Sequence, residues 1–270
     1  MNTRFSISSG RVLSRMRETR PLVLSLTNDV VRAFTANLLL AVGAVPAMLA
    51  EAQEAEEMLG SCASALLINT GTLTHPQADV MRAAVRAAAK ENLPWVLDPV
   101  AVGLLSFRTA LCRELLSLSA PALIRGNASE ILALAGEKST PRGPESTAES
   151  RDAVDAAQRL ARRVGSIVLL TGATDYATDG VHTWGIAHGH PLMTRVTGVG
   201  CAMGALAAAC AASADSPLEA AVGTSVILGL AGEKAAARAP HPGSFATALL
   251  DELDKLRPEE VSSEARISPV

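Results

Sequence analysis

Short apolar runs, most of them closed by a polar or glycine residue and followed by a helical stretch, recur through the first two thirds of this 270-residue chain. The runs cover 21–26, 45–49, 63–69, 94–97, 122–125 and 166–170. The stretches between them read as helices over 30–42, 52–59, 76–90, 107–118, 129–135 and 153–163. Thr27-Asn28-Asp29 has the composition of a cap for the first of these helices, and Gly43 ends it. Strands apolar on both faces and joined by crossover helices can pair only as a parallel sheet covered on both sides. The expected fold is therefore α/β, a central and mostly parallel sheet with helices on both faces. Asp179-Gly180 between 175–178 and 181–186 adds a hairpin. No internal repeat or long linker divides the chain, so residues 1–270 read as a single domain. Residues 1–20 form a polar lead-in with a short helix, and 258–270 form a polar, disordered tail.

In such sheets ligands collect where the strands end. Asn28, Thr70, Asp98, Arg125 and Asn127 all stand at those ends. The stretch Met193 to Ala205 belongs with them: Gly198 and Gly200 make a glycine turn that feeds an Ala-rich helix beginning at Cys201. Unpaired N–H groups at that helix start suit a phosphate, and a thiol there would be made more acidic by the helix dipole. An ordinary loop-to-helix junction with a buried cysteine explains the same residues. Further helices are expected over 217–238 and 244–256. Residues 138–150, rich in Ser, Thr, Pro, Gly and Glu, read as a mobile loop, either a lid or a tolerated insertion.

Composition narrows the partners. A formal net charge of -3 and 3% aromatic residues give no footprint for nucleic acid. Cys62, Cys112, Cys201 and Cys210 make no Cys-x-x-Cys pair and no zinc spacing, and read as reduced thiols of a cytoplasmic protein. Arg4, Arg11, Arg15, Arg17 and Arg20 with no apolar block between them exclude a secretory signal. The uncharged stretches 34–50 and 196–214 approach membrane-spanning length, but Gly, Pro, Asn, Ser and Thr interrupt them, and buried elements fit better.

Asp98 and Glu130 are the carboxylates best placed for magnesium, which takes one or two carboxylates with water and phosphate oxygens. The spacing of Asn127 and Glu130 equally describes a capping box. Arg125 would clamp phosphates or make a surface salt bridge. Thr171-Gly172 would line a nucleotide pocket or turn the chain. Cys201 would accept a proton from a substrate hydroxyl or act as a covalent nucleophile. The second role needs a histidine; His182, His188 and His190 precede it, and they read better as structural.

Six segments in order resemble the hydroxyethylthiazole kinase family. They are Leu26 to Asn37 (LTNDVVRAFTAN), Gly43 to Met48 (GAVPAM), Ile68 to Leu73 (INTGTL), Leu97 to Gly103 (LDPVAVG), Ile124 to Ile131 (IRGNASEI) and Gly189 to Cys201 (GHPLMTRVTGVGC). The resemblance covers about residues 20–255. It implies a ribokinase-like fold and transfer of the ATP γ-phosphate to the alcohol of 4-methyl-5-(2-hydroxyethyl)thiazole, in thiamine biosynthesis or salvage. It implies a homotrimer with active sites between subunits. By match, Asn28, Met48 and Gly198 would contact the thiazole; Arg125, Thr171 and Gly200 would serve ATP; Asp98 and Glu130 would sit near Mg²⁺. Cys201 holds the place where ribokinase-like relatives carry the catalytic Asp. Asp29 stands where Tyr is common in the family, and Val199 fills the variable place in the glycine turn. Three rivals stand beside this reading: a related kinase for hydroxymethylpyrimidine or pyridoxal, a cysteine hydrolase, and a non-catalytic nucleotide-binding module.

Overall fold

The computed structural model describes residues 3–137 and 149–270. Nine strands form one sheet in the order β2-β1-β3-β4-β5-β6-β7-β8-β9. β1 (Leu22–Leu26), β2 (Val45–Ala47), β3 (Ala65–Asn69), β4 (Trp95–Asp98), β5 (Leu123–Asn127) and β6 (Ile167–Thr171) are parallel to their neighbours. β7 (Asp175–Thr178), β8 (Thr183–Ile186) and β9 (Ile267–Pro269) continue the sheet antiparallel.

Successive strand side chains point to opposite faces, and both faces are apolar. Val23, Leu67, Val96, Leu123 and Leu169 pack under one helical layer: α1 (Thr3–Thr19), α2 (Arg32–Val42), α8 (Val199–Ser213), α9 (Pro217–Arg238), α10 (Pro242–Lys255) and α11 (Pro258–Glu264). Leu24, Ile68, Leu97, Ile124 and Leu170 pack under the other: α3 (Ala52–Leu59), α4 (His75–Lys90), α5 (Ser106–Leu118), α6 (Ala128–Ala135) and α7 (Glu149–Val164). Helix α8 is apolar all round because it is enclosed on every side, between the sheet and its neighbours in the first layer. Its Gly204 brings the backbone against the sheet: a Cβ there would lie 3.1 Å from Leu67 Cδ1 and 3.2 Å from Asp98 Oδ2.

Four expectations change. The N-terminal lead-in is a 17-residue helix that buries Phe5, Val12, Leu13 and Met16. Arg17 on it donates to the last carbonyls of α10, at Leu253, Asp254 and Leu256. The tail expected to be disordered supplies α11 and β9, whose Val261, Ala265 and Ile267 join the first core. α11 lies so close to α1 that a Cβ on Gly10 would be 2.4 Å from Pro258 O. Asn28 caps no helix; α2 starts at Arg32 with Val31 before it and no side-chain cap. α8 starts at Val199, two residues before Cys201, because Gly198 (φ 97°) takes the left-handed conformation and turns the chain into the helix. The proposed loop over 138–150 lies outside the described residues as far as 148; its last two residues open α7. No helix among the described residues is long and apolar enough to cross a membrane.

Candidate active site

The strand ends converge as the fold requires. Asn28 follows β1, Asn69 and Asp98 end β3 and β4, Arg125 lies within β5 and Thr171 ends β6. The pairs Asn69↔Asp98 and Asn127↔Thr171 are register partners. Cys201 enters from above in the first turn of α8.

A chain of hydrogen bonds links these side chains. Asn28 Nδ2 donates to Asn69 Oδ1 at 2.9 Å and lies 3.4 Å from Cys201 Sγ. Asn69 Nδ2 donates to Asp98 Oδ2 at 2.6 Å. Arg125 Nη1 reaches Asp98 Oδ1 at 3.4 Å. That ion pair is buried, not on the surface: Asp98 is fully enclosed. Arg125 Nε is also buried and has no hydrogen-bond partner among the described residues. The guanidinium lies under the glycine turn, where a Cβ on Gly200 would come within 3.3 Å of Nη2. Asn69 takes no role from the sequence: it reads as the last residue of an apolar run and as part of the segment Ile68 to Leu73.

Glu130 completes the capping box expected of it. Its Oε2 accepts from Asn127 N at 3.0 Å, while Asn127 Oδ1 accepts from Glu130 N. Its Oε1 accepts from Ala101 N at 3.1 Å, tying the loop after β4 to α6. Thr171 Oγ1 donates to Gly126 O, and Gly172 N donates to Asp175 Oδ1 at 3.0 Å, so this turn is braced from the first antiparallel strand. Met48 lies one residue beyond β2, half-buried at the sheet edge, apart from the hydrogen-bonded chain. Gly198 faces α2: a Cβ on it would be 3.2 Å from Val31 and 3.4 Å from Phe34. Asp29 turns its carboxylate outward to Arg32 at 3.1 Å and is 65% exposed, so its charge does not enter the cluster.

Burial sets the protonation of the site. It pushes the Asp98 carboxyl up to about 7; Arg125 and Asn69 pull it down, and the nearby Glu130 pushes it further up. Arg125 stays above its ordinary value, because Asp98 and Glu130 outweigh the effect of its own burial. The Cys201 thiol is raised by burial and by the Asp98 charge, against the pull of Asn69, Asn28 and Arg125. This reverses the expected acidification: enclosure and a neighbouring carboxylate override the start of α8.

The three histidines hydrogen-bond elsewhere. His182 meets Asp179 in the hairpin turn, His188 lies between Glu233 and the Arg266 backbone, and His190 accepts from Leu192 N. All four cysteines are free thiols. With none of these three histidines bonded to Cys201 among the described residues, the covalent-nucleophile reading loses the bases named for it.

Oxygen donors for a divalent cation are present. Asp98 and Glu130 each use one hydrogen-bond partner per oxygen and retain lone pairs. No group of three metal-ligating side chains exists among the described residues. That pair still fits Mg²⁺, which draws most of its ligands from phosphates and water.

Comparison with known proteins bears on the family and the fold. The family model described as "Hydroxyethylthiazole kinase family" matches residues 13–259. A hydroxyethylthiazole kinase from Akkermansia muciniphila is 59% identical over 94% of this chain and 93% of its own length. The structure of the hydroxyethylthiazole kinase from Pyrococcus horikoshii OT3 superposes with a TM-score of 0.89 at 38% identity, covering 97% of this chain and 98% of that one. The pyridoxal kinase from Staphylococcus aureus, at 17% identity and a TM-score of 0.59 over 79% of this chain and 88% of its own, shares the fold alone.

Proposed function

The chain belongs to the hydroxyethylthiazole kinase family, with a ribokinase-like fold, and from that premise we propose how its strand-end cluster carries out the family's reaction. The reaction is transfer of the ATP γ-phosphate to the hydroxyl of 4-methyl-5-(2-hydroxyethyl)thiazole. The observation that carries the assignment of roles is the buried chain Cys201–Asn28–Asn69–Asp98–Arg125 beneath the first turn of α8.

Asn28, Met48 and Gly198 are proposed to hold the thiazole alcohol, Arg125, Thr171 and Gly200 the nucleotide. Phosphoryl transfer asks the protein for positioning and charge neutralisation. Arg125 is suited to neutralising phosphate charge, because its planar fork is held by Asp98 on one side while Nε keeps an unused donor. The unpaired N–H groups that open α8 present partial positive charge to the transferring group. Asp98 and Glu130 would hold Mg²⁺, whose contribution when bound is to neutralise phosphate charge.

The hydroxyl oxygen forms a bond to the γ-phosphorus as the bond to the β-phosphate oxygen breaks. The hydroxyl proton leaves late, since a loose transition state needs no prior deprotonation, and passes to Cys201 where the sulfur is a thiolate and otherwise to an oxygen of the transferred phosphoryl group. Burial and Asp98 raise the Cys201 thiol, so it is mostly protonated and only a small thiolate share can accept that proton.

We also propose three copies with sites between neighbours. Met48 at the sheet edge, with exposed Val30 and Leu40 around α2, supplies apolar surface beside the site for such a contact. Four free thiols suit the reducing cytoplasm. A coupled ADP-release assay over a panel of alcohols tests the reading. Turnover should be highest with the hydroxyethylthiazole; preference for hydroxymethylpyrimidine or pyridoxal, or ester hydrolysis without ATP, would overturn it. Light scattering on the eluted protein checks the trimer.

A further inference from the structure

Asn69 is fully buried, and both ends of its amide are engaged. Oδ1 accepts from Asn28 Nδ2 at 2.9 Å and from Gly71 N at 3.0 Å; Nδ2 donates to Asp98 Oδ2 at 2.6 Å. These partners fix which way the amide points. A backbone N–H only donates and a carboxylate accepts, so the oxygen must face Gly71 and the nitrogen Asp98. The consequence passes to Asn28. Meeting an oxygen, it must offer its own nitrogen, the atom that lies 3.4 Å from Cys201 Sγ. A flipped Asn28 would set two carbonyl oxygens against each other.

The turn after β3 holds Asn28 by other means too. A Cβ on Gly71 would fall 2.7 Å from both Cβ and Nδ2 of Asn28. Thr72 occupies the left-handed region (φ 42°), an uncommon place for a β-branched residue. From there its hydroxyl accepts the N–H of Asp29 at 3.1 Å. Side chain and following backbone of Asn28 are thus both set by residues 69–72.

We propose that Asn69 is a positioning residue for the phosphoryl acceptor. Oriented by Asp98, it fixes the Asn28 amide with nitrogen toward the Cys201 sulfur and leaves the Asn28 carbonyl oxygen for contact with the thiazole substrate. The inference rests on the reading of Asn28 as a thiazole contact.

A kinetic cycle tests it, with thermal unfolding of each variant as the check on folding. Asn28→Ala and Asn69→Ser should each lower kcat/KM for the thiazole by roughly 10- to 100-fold, as expected for loss of an enclosed hydrogen bond. The double variant should lose no more than about threefold beyond the worse single, because Asn69 acts through Asn28. ATP KM should shift by less than about threefold. Asn69→Asp keeps an acceptor oxygen for Asn28 and Gly71. It should hold the thiazole KM within about threefold of the parent even where kcat falls from the added charge beside Asp98. Losses that multiply in the double variant, or an Asn69→Asp thiazole KM as high as that of Asn69→Ser, would overturn the positioning role while leaving the site reading standing. An Asn28→Ala enzyme with unchanged thiazole kinetics would overturn the reading of Asn28 itself, and the inference with it.

Discussion

Beyond the end of β8, His188 is buried between partners that use both ring nitrogens. Nδ1 meets Glu233 Oε1 at 3.2 Å, and Nε2 accepts the Arg266 N–H at 2.8 Å. Glu233 Oε1 also takes Gly189 N and the Arg266 guanidinium, while Arg266 Nε donates to Ala187 O. At the end of β4, Asp98 is buried beside an arginine as well, but there Arg125 Nε has no partner among the described residues and burial lifts the carboxyl to about 7. The materials are alike and the outcomes differ. Around His188 both ring nitrogens are matched within the chain, and the result fastens β9 to the sheet. Around Asp98 both carboxylate oxygens are matched, but Arg125 Nε is left over among the described residues, and phosphate is the partner proposed for that guanidinium. A closed network serves stability, and an open one sets stability against ligand binding.

The comparison implies that substitutions at the two places separate activity from stability. The largest effect belongs to Arg125→Ala. It should raise ATP KM and lower turnover, together on the order of 10²–10³ in kcat/KM, as when a preorganised donor is removed. Its unfolding midpoint should move little, because Asp98 can take up a proton when its cation is gone. Unchanged kinetics would remove Arg125 from the site. Next comes Glu233→Ala, which strips His188 Nδ1, Gly189 N and Arg266 of one shared acceptor. A cost of about 2 kcal/mol is expected, lowering the melting temperature by roughly 2–4 °C per kcal/mol with kcat/KM unchanged per folded molecule. A loss of activity as large as that of Arg125→Ala would break the division between the two networks.

How far these regions can be read from sequence depends on the range of their contacts. Most of the parallel strands are legible because they are short, mainly apolar runs ending on Asn, Asp, Thr or Gly, and a strand buried on both faces permits little else; β2, half-buried at the sheet edge, lacks that ending. Helix α1 is underestimated because Phe5, Val12, Leu13 and Met16 are spaced among serines and arginines. Its Ser8 and Ser9 are buried only by returning their hydroxyls to Phe5 O. The tail looks unstructured because three buried residues, Val261, Ala265 and Ile267, carry its attachment. Asn69 is invisible for a related reason: apart from Gly71, its side-chain partners, Asn28 and Asp98, lie 41 and 29 residues away. The strand-end carboxylates and amides can be placed from topology, but the direction in which an amide points cannot.

A smaller effect follows from His188. Burial holds its pKa below the usual value of about 6.5, with Arg266 adding to that and Glu233 and Glu264 opposing it. With a depressed folded pKa, the unfolded chain takes up the proton first as pH falls. The stabilisation is therefore complete above about pH 6.5 and is lost as pH drops through the folded value. Protonation also removes the acceptor that Nε2 offers to Arg266 N. The melting temperature should decline between pH 7.5 and 5.5, and His188→Gln should flatten that decline. An identical slope in the variant would mean that the closed network is indifferent to this ring.

The smallest effect is expected at Cys201, although it ends the hydrogen-bonded chain of the site. Its thiol is raised by burial and by Asp98, so little thiolate stands ready. A full general base contributes roughly 10²–10⁴, and a protonated thiol meeting a loose transition state cannot be asked for that much. On the proposed mechanism most of the rate would then come from Arg125, the Mg²⁺ that Asp98 and Glu130 would hold, and the N–H groups opening α8. Cys201→Asp should accordingly keep kcat/KM within about tenfold of the parent, since a carboxylate can accept the same proton. Near-complete loss in a folded Cys201→Asp protein would count against proton acceptance. Cys201→Ala divides what remains: a fall of less than about tenfold assigns the rate to the helix start and Arg125, and a fall approaching 10³ returns it to the sulfur.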